Sequence, residues 1–192
     1  MGDELNIETE RLLLRRFSPS DVPTLVNLAG AKEIAATTAR IPHPYTDQDA
    51  FDWLQVQARM HAHGTGVPMG VILKGENTLI GAVGLELASD DQPFAKHRGE
   101  LGYWIGVPYW GNGYATEAAR AMIDYGFESL GLSRIYAQHM SSNPASGRIL
   151  TKLGMTNEGM LRQHHKRFGS MHDMHQYGIL RDEWEASRRA SS

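Results

Sequence analysis

Between Glu100 and Ala118 the chain changes its hydrophobic period within a few residues. Glu100-Leu101-Gly102-Tyr103-Trp104-Ile105-Gly106-Val107 has the pattern of a strand, Tyr114 begins a helical spacing, and Pro108-Tyr109-Trp110-Gly111-Asn112-Gly113 joins the two. A strand that runs through glycines directly into a helix constrains the fold more than any other feature here. Glycine lets the backbone approach a ligand closely, and the unpaired amides of a helix start, helped by the dipole, make an anion site. A pyrophosphate fits such a junction without a lysine or a metal. Gly111 and Gly113 are equally able to shape a tight turn and nothing more, and the glycine spacing alone leaves both readings open. A Rossmann fingerprint is disfavoured: the sixth position counted from Gly111 is Thr116, larger than close helix packing wants.

The rest of the chain alternates strand-like and helix-like stretches without an internal repeat. Leu12, Leu13 and Leu14 lie in a strand-like run ending at Phe17. Ser18-Pro19-Ser20-Asp21 then offers an N-cap, a first-turn proline and an acid three residues on. The helix predicted there carries Val22, Leu25, Val26 and Ala29 on one face, with Gly30 closing it in a left-handed conformation. Thr46-Asp47-Gln48-Asp49 repeats the capping pattern and predicts a second helix from about Asp47 to Ala62. Val67 to Leu73, Thr78 to Leu87 and Gly99 to Val107 form an antiparallel meander, with a hairpin turn at Gly75-Glu76-Asn77 and an exposed loop from Ala88 to Arg98. Tyr114 to Leu130 is helical with Gly131 as its stop, and Arg134 to Met140 is a strand. Asn143, Pro144 and Gly154 frame a short helix. Runs near Met155 to Leu161 and Asp173 to Arg181 complete a mixed sheet.

With 192 residues, 41% hydrophobic, the chain supports one substantial core, so a single domain over residues 1–192 is expected, its core at about 8–184. The absence of cysteine excludes a disulfide framework, a thiolate zinc site and a cysteine nucleophile, and makes the cytoplasm the expected compartment. No apolar run approaches a membrane span. A net charge of −3 with both signs interspersed argues against direct nucleic-acid binding.

The segments Gly102-Tyr103-Trp104, Trp110-Gly111-Asn112-Gly113-Tyr114-Ala115-Thr116-Glu117-Ala118, Asn143-Pro144-Ala145-Ser146 and Lys152-Leu153-Gly154-Met155 resemble the GCN5-related N-acetyltransferases, and within them the Rim-type branch of ribosomal-protein N-terminal acetyltransferases. The resemblance extends from Thr9-Glu10-Arg11-Leu12 to Leu180-Arg181-Asp182-Glu183-Trp184. It implies an α/β (α+β) fold: a mixed central sheet of about six to seven strands, antiparallel in its N-terminal part, with a splayed parallel pair at the centre and about four flanking helices. It also implies acetyl-CoA as co-substrate and an amine acceptor; no metal is expected, and the oligomeric state is left open between monomer and homodimer. The family's pyrophosphate pattern Q/R-x-x-G-x-G/A falls on residues 110–115, where Trp110 departs from it. By resemblance Gly111, Gly113, Ala115 and Thr116 contact the pyrophosphate, with Trp110, Asn112 and Tyr114 in the same loop. The strand holding Ile105 and Val107 then splays from Arg134 to Met140, and pantetheine lies in the gap. Gly106 and Pro108 suit that reading, because glycine favours bulges and proline lacks a ladder donor.

Acetyl transfer by direct attack requires a deprotonated amine, a polarised thioester and a group that stabilises the departing thiolate. Glu100, on the pantetheine strand, is the candidate base, directly or through water. The family pattern N-x-x-A-x-x-L-Y-x-K-x-G-F places Leu150 where many members carry a tyrosine acid, and Ser146 where they carry alanine. Ser146 is therefore the candidate acid, and Asn143 combines a helix cap with a pantetheine contact. Serine in a first helical turn also serves as plain capping chemistry.

Nine histidines, among them His61, His63, His164, His165, His172 and His175, are read as surface residues, because none has acidic or cysteine partners at ligand spacing. Trp53, Trp104, Trp110, Phe51 and Tyr45 line an acceptor pocket or pack the core. Residues 41–53 and 88–98 are the expected seat of acceptor choice. The acceptor reading is a peptide or protein N-terminal amine, with a small-molecule amine as the alternative. A non-catalytic acyl-CoA sensor is the rival from another class.

Overall fold

The computed structural model describes residues 5–89 and 91–191. Its centre is one eight-stranded sheet, β1 (Asn6–Glu8), β2 (Leu12–Arg15), β3 (Gly66–Leu73), β4 (Thr78–Leu87), β5 (Arg98–Ile105), β6 (Arg134–Met140), β7 (Thr156–Arg167) and β8 (Ser170–Leu180), in the spatial order β1-β2-β3-β4-β5-β6-β8-β7. All neighbours pair antiparallel except β5 and β6, which run parallel. The helices are α1 (Val22–Ala29), α2 (Lys32–Thr37), α3 (Asp47–His63), α4 (Tyr114–Glu128), α5 (Pro144–Lys152) and α6 (Arg181–Ser191). The mixed sheet with its parallel pair is as expected. Among the described residues the sheet has eight strands rather than six or seven, and six α-helices flank it rather than four.

Alternation along the strands sorts side chains onto two apolar layers. Leu12, Leu14, Ile80, Leu85, Leu101 and Ile105 pack with Met122, Ile123 and Phe127 of α4 in the larger core. On the other face Leu79 and Ile72 meet Val22 and Leu25 of α1 and Ala50 of α3, with Trp104 and Tyr45 against them. The strongly buried β4 serves both layers, so its sequence is apolar almost continuously.

Local signals explain most boundaries. Thr46 and Asp49 form a reciprocal capping box that starts α3, and Gly64 ends it at φ +64. Asn143 caps α5 by accepting from the Ser146 amide. Gly30 departs from expectation: its φ is −67, because the chain continues in a right-handed turn toward α2. A β-carbon there would lie 2.6 Å from the Val26 carbonyl oxygen, so glycine is needed for closeness and not for handedness. The last two strands run further than expected, and α6 was not foreseen. This charged helix is held by Trp184, which packs tilted against Phe127 with ring centres 5.1 Å apart and donates to Asp124 at 2.7 Å. Among the described residues no helix is long and apolar enough to cross a membrane.

Candidate active site

The parallel pair is where the sheet opens. Arg98, Gly99 and Glu100 pair with Arg134, Ile135 and Tyr136, and no pairing follows from Leu101 or Ala137 onward. β5 keeps its ladder to β4 as far as Ile105, while β6 keeps its own to β8 as far as Met140. The two strands thus diverge with each still held on its outer side. Gly106 and Pro108 do not open this gap, since the ladder ends at Glu100. Gly106 is small because a β-carbon would meet Leu28 at 2.8 Å, and Pro108 belongs to a short 3-10 turn over Val107–Tyr109. Val107 is in that turn and not on the strand as expected. With Pro108 it lines a hollow of about 320 Å³ whose other wall is Asn27, Leu28, Ala31 and Glu33. Ile105 points its side chain into the core and is 5% exposed, so its backbone is what it offers the gap; its carbonyl accepts from Trp110 Nε1.

The glycine junction closes the same end of the gap. Gly111 and Gly113 have φ of +80 and +82, which side-chain-bearing residues rarely adopt, and the space beside both α-carbons is open except for Arg11, 3.6 Å from a β-carbon built at Gly113. Gly113 caps α4 without a side chain, and the helix's first closing bond runs from Glu117 N to Gly113 O at 3.1 Å. The amides of Tyr114, Ala115 and Thr116 therefore have no intrahelical acceptor and face outward with the positive end of the dipole. Asn112 spends its side-chain amide within the loop, donating to Tyr109 O and Trp110 O at 3.2 and 3.1 Å. Loop amides and open gap together fit a diphosphate joined to an extended pantetheine arm.

Arg11 and Glu117 brace this loop, and sequence reading did not single them out. Glu117 accepts from Thr9 Oγ1 at 2.6 Å, Arg11 N at 2.9 Å and Arg11 Nε at 2.7 Å. Arg11 Nη1 donates to Asn112 O at 3.1 Å, and its guanidinium lies 4.7 Å above the centre of the Tyr114 ring. Burial pushes the Glu117 carboxyl up, but the bonds from Thr9 and Arg11 outweigh it and hold the group below its ordinary value. The signal available in sequence was the pair of motif ends, Thr9-Glu10-Arg11 and Thr116-Glu117, whose contact only the fold reveals.

The two candidate catalytic residues lie on opposite faces of the divergence. Alternation sends Glu100 to the face shared with Trp104, where it meets Tyr136 Oη at 3.4 Å, Arg40 Nη2 at 3.9 Å and, across the ladder, its Cα partner Glu86. Ser146, in the first turn of α5, is approached from β5 by Tyr103, whose hydroxyl stands 2.9 Å from Ser146 Oγ. Asn143 Nδ2 donates to Thr37 O at 3.3 Å, tying α2 to α5, while its Oδ1 caps the helix. Leu150, at the family's tyrosine position, is fully buried in the core.

The Glu100 face is walled at its far end by the β7–β8 hairpin. Arg167 donates to Ala35 O at 2.8 Å and to Ile41 O, and Phe168 meets His43 edge-on at 6.4 Å. Of the aromatic candidates, Trp104 and Tyr45 pack on the smaller core, while Phe51 and Trp110 are about half exposed. His139 is buried and stacks on His175 at 5.1 Å, and burial lowers its basicity. Among the described residues no group of three or more His, Asp or Glu is arranged to hold a metal ion.

Comparison with known proteins agrees with this geometry. Residues 11–156 match the family model described as "Acetyltransferase (GNAT) domain". The uncharacterized N-acetyltransferase YoaA of Bacillus subtilis is 31% identical over 176 residues, covering 91% of this chain and 96% of its own. The crystal structure of the ribosomal-protein-S5-alanine acetyltransferase of Vibrio fischeri superposes with a TM-score of 0.81 at 25% identity, over 94% of this chain and 99% of that one. RimL, a ribosomal L7/L12 α-N-protein acetyltransferase solved with coenzyme A, shares the fold with a TM-score of 0.80 at 19% identity, over 92% and 98% of the two chains. A glycine junction at a helix start beside a diverging parallel pair, in a chain with these relatives, identifies a member of the GNAT acetyltransferase family and hence an acyl-CoA-dependent N-acetyltransferase.

Proposed function

We propose that the chain transfers an acetyl group from acetyl-CoA to the N-terminal α-amine of a protein or peptide, by direct attack within a ternary complex. The observation that carries the reading is the end of the β5–β6 ladder at Glu100–Tyr136, which leaves a passage between the Glu100 face and the α5 face of the sheet. The amides at 111–116 hold the diphosphate, the backbone from Ile105 to Val107 lies along the pantetheine arm, and Asn143 fixes the start of α5 beside it. The acceptor enters from the other face, between Trp104, Tyr136 and the Arg167 wall. Glu100 takes the amine's proton, directly or through water. The nitrogen lone pair forms the new N–C bond, the C–S bond breaks with its electron pair on sulfur, and the Ser146 hydroxyl hydrogen-bonds that sulfur. A positioned general base is worth about 10²- to 10⁴-fold in rate.

The V. fischeri neighbour is by its name a ribosomal-protein acetyltransferase, and that likeness is what supports a peptide or protein acceptor. The test is thiol release from acetyl-CoA with a panel of unblocked peptides, the same peptides blocked at the α-amine, and polyamines. Release with unblocked peptides alone supports the reading, and release with polyamines alone replaces the acceptor by a small molecule. Binding of acetyl-CoA without release from any amine overturns the catalytic reading. Glu100→Gln should lower kcat by about 10²-fold or more and leave acetyl-CoA affinity within about twofold.

A further inference from the structure

We propose that Tyr103 is a positioning residue for Ser146, donating its phenolic hydrogen to Ser146 Oγ so that the serine's own hydrogen is left to point at the departing sulfur. The inference rests on the reading of Ser146 given above and assigns a part to a residue that the family pattern leaves unassigned. Its basis is geometric. Tyr103 lies on β5 beyond the last residue paired with β6, and its side chain bridges the divergence to the first turn of α5. Among the described residues the 2.9 Å separation from Ser146 Oγ is the short hydrogen bond of this pair of hydroxyls, the alternative acceptor for Tyr103, the Ser146 carbonyl, being 3.4 Å away.

That difference sets the direction of the bond. If Ser146 were the donor, the phenolic hydrogen would be left with the 3.4 Å carbonyl, well beyond the ~2.7–2.8 Å typical of an O–H···O bond. With Tyr103 as donor the short bond is made and the serine hydrogen is spare. Burial pushes the Tyr103 hydroxyl up to about 12, so it keeps its hydrogen throughout the working range of the enzyme. Ser146 is also fixed from behind, since its amide donates to Asn143 Oδ1 at 3.2 Å. The serine oxygen is thus held from two elements, β5 and α5, that border the passage on either side. A hydroxyl that carries only its own rotor must be ordered during the reaction, whereas one already accepting a bond has its remaining donor direction restricted beforehand. Leu150, a leucine fully buried in the core, has no hydroxyl to take that part.

The test is a double-mutant cycle of Tyr103→Phe and Ser146→Ala, reading kcat and KM for acetyl-CoA, with thermal unfolding to check each variant. In the wild-type background Tyr103→Phe should lower kcat about tenfold with KM for acetyl-CoA within about twofold; in the Ser146→Ala background it should change kcat by less than about twofold. Ser146→Thr, which keeps the hydroxyl, should retain the sensitivity to Tyr103→Phe. Equal losses in both backgrounds, or no loss in the wild type while Ser146→Ala is impaired, would overturn the role of Tyr103 and leave that of Ser146 standing. A Ser146→Ala variant with full activity would instead remove the reading of Ser146 and this inference with it.

Discussion

Glu86 and Glu100 face each other as Cα partners across β4 and β5, and the guanidinium of Arg40 reaches both. Like charges directly opposite in a ladder destabilise it, so the pair is tolerated because a cation lies with it. The bond to Glu86 raises the basicity of Arg40, so the cation persists at every working pH. Arg40 arrives from the segment between α2 and α3, and its side chain is 70% exposed. It stands where the proposed acceptor, itself a cation before it loses its proton, must approach Glu100.

Arg40→Ala should therefore lower KM for an amine acceptor about three- to tenfold without reducing kcat, because a competing positive charge is removed from the carboxylates. Stability should change by no more than about 0.5 kcal/mol, as expected for an exposed ion pair. Steady-state kinetics over acceptor concentration, with urea unfolding of the same preparation, reads both. A rise in KM would mean that Arg40 holds part of the acceptor instead of standing in its place.

Glu117 tests the brace behind the proposed phosphate loop. Its two oxygens carry the bonds from Thr9 and Arg11 that join the β1–β2 turn to the first turn of α4. Glu117→Gln keeps the shape and weakens the charge-assisted bonds, each worth about 1.5–3 kcal/mol where desolvated and less at this half-open site. Kd for coenzyme A measured by titration calorimetry should rise about five- to tenfold, with kcat at saturation changed less than about twofold. An unchanged Kd would show that the loop amides keep their positions without Arg11.

Much of this arrangement could be read from sequence where the signal is local. The capping box at Thr46 and Asp49, the asparagine and proline that start α5, and the glycines with positive φ all act through neighbours within a few residues. The parallel pair was legible because a helix separates its two strands. What escaped was long-range. Tyr103 meets Ser146, Arg11 meets Glu117 and Arg40 meets Glu86 over separations of 43, 106 and 46 residues. None of these pairings leaves a mark in local periodicity. The helix α6 escaped for a different reason: its turns are mostly charged, and what anchors it is Trp184 on Phe127 together with bonds from Arg181 to the carbonyls of Phe127 and Leu132.

Leu150 provides a test of the departure from the family pattern. It is wholly buried on the inner face of α5. Leu150→Tyr inserts a larger side chain and a hydroxyl into a packed core, which costs about 1–3 kcal/mol by overpacking. Urea unfolding should show that loss, and kcat should not increase. A higher kcat would mean that the position opens onto the sulfur and that the missing tyrosine can be restored.

Asp21 gives a prediction for stability against pH that is independent of catalysis. The carboxylate is 6% exposed and takes a two-pronged bond from Arg15 at 2.7 and 2.8 Å, with a third from Ser18 N at 2.8 Å. Burial raises its pKa, and the bonds from Arg15 and Ser18 outweigh that, so the folded value lies below the ordinary one. A carboxyl depressed in the folded state contributes stability that is complete above the unfolded pKa, about 3.9, and is lost as pH falls through the folded value. Asp21→Asn should cost about 2 kcal/mol near neutral pH, since the Arg15 guanidinium loses its charged partner while Ser18 N keeps an acceptor. The gap between variant and wild type, followed by urea unfolding, should hold down to about pH 4 and narrow below it, because the wild type then binds the proton that the variant cannot. A gap that stays constant to about pH 2.5 would assign the contribution of Asp21 to its shape and its hydrogen bond to Ser18, with no part for its charge.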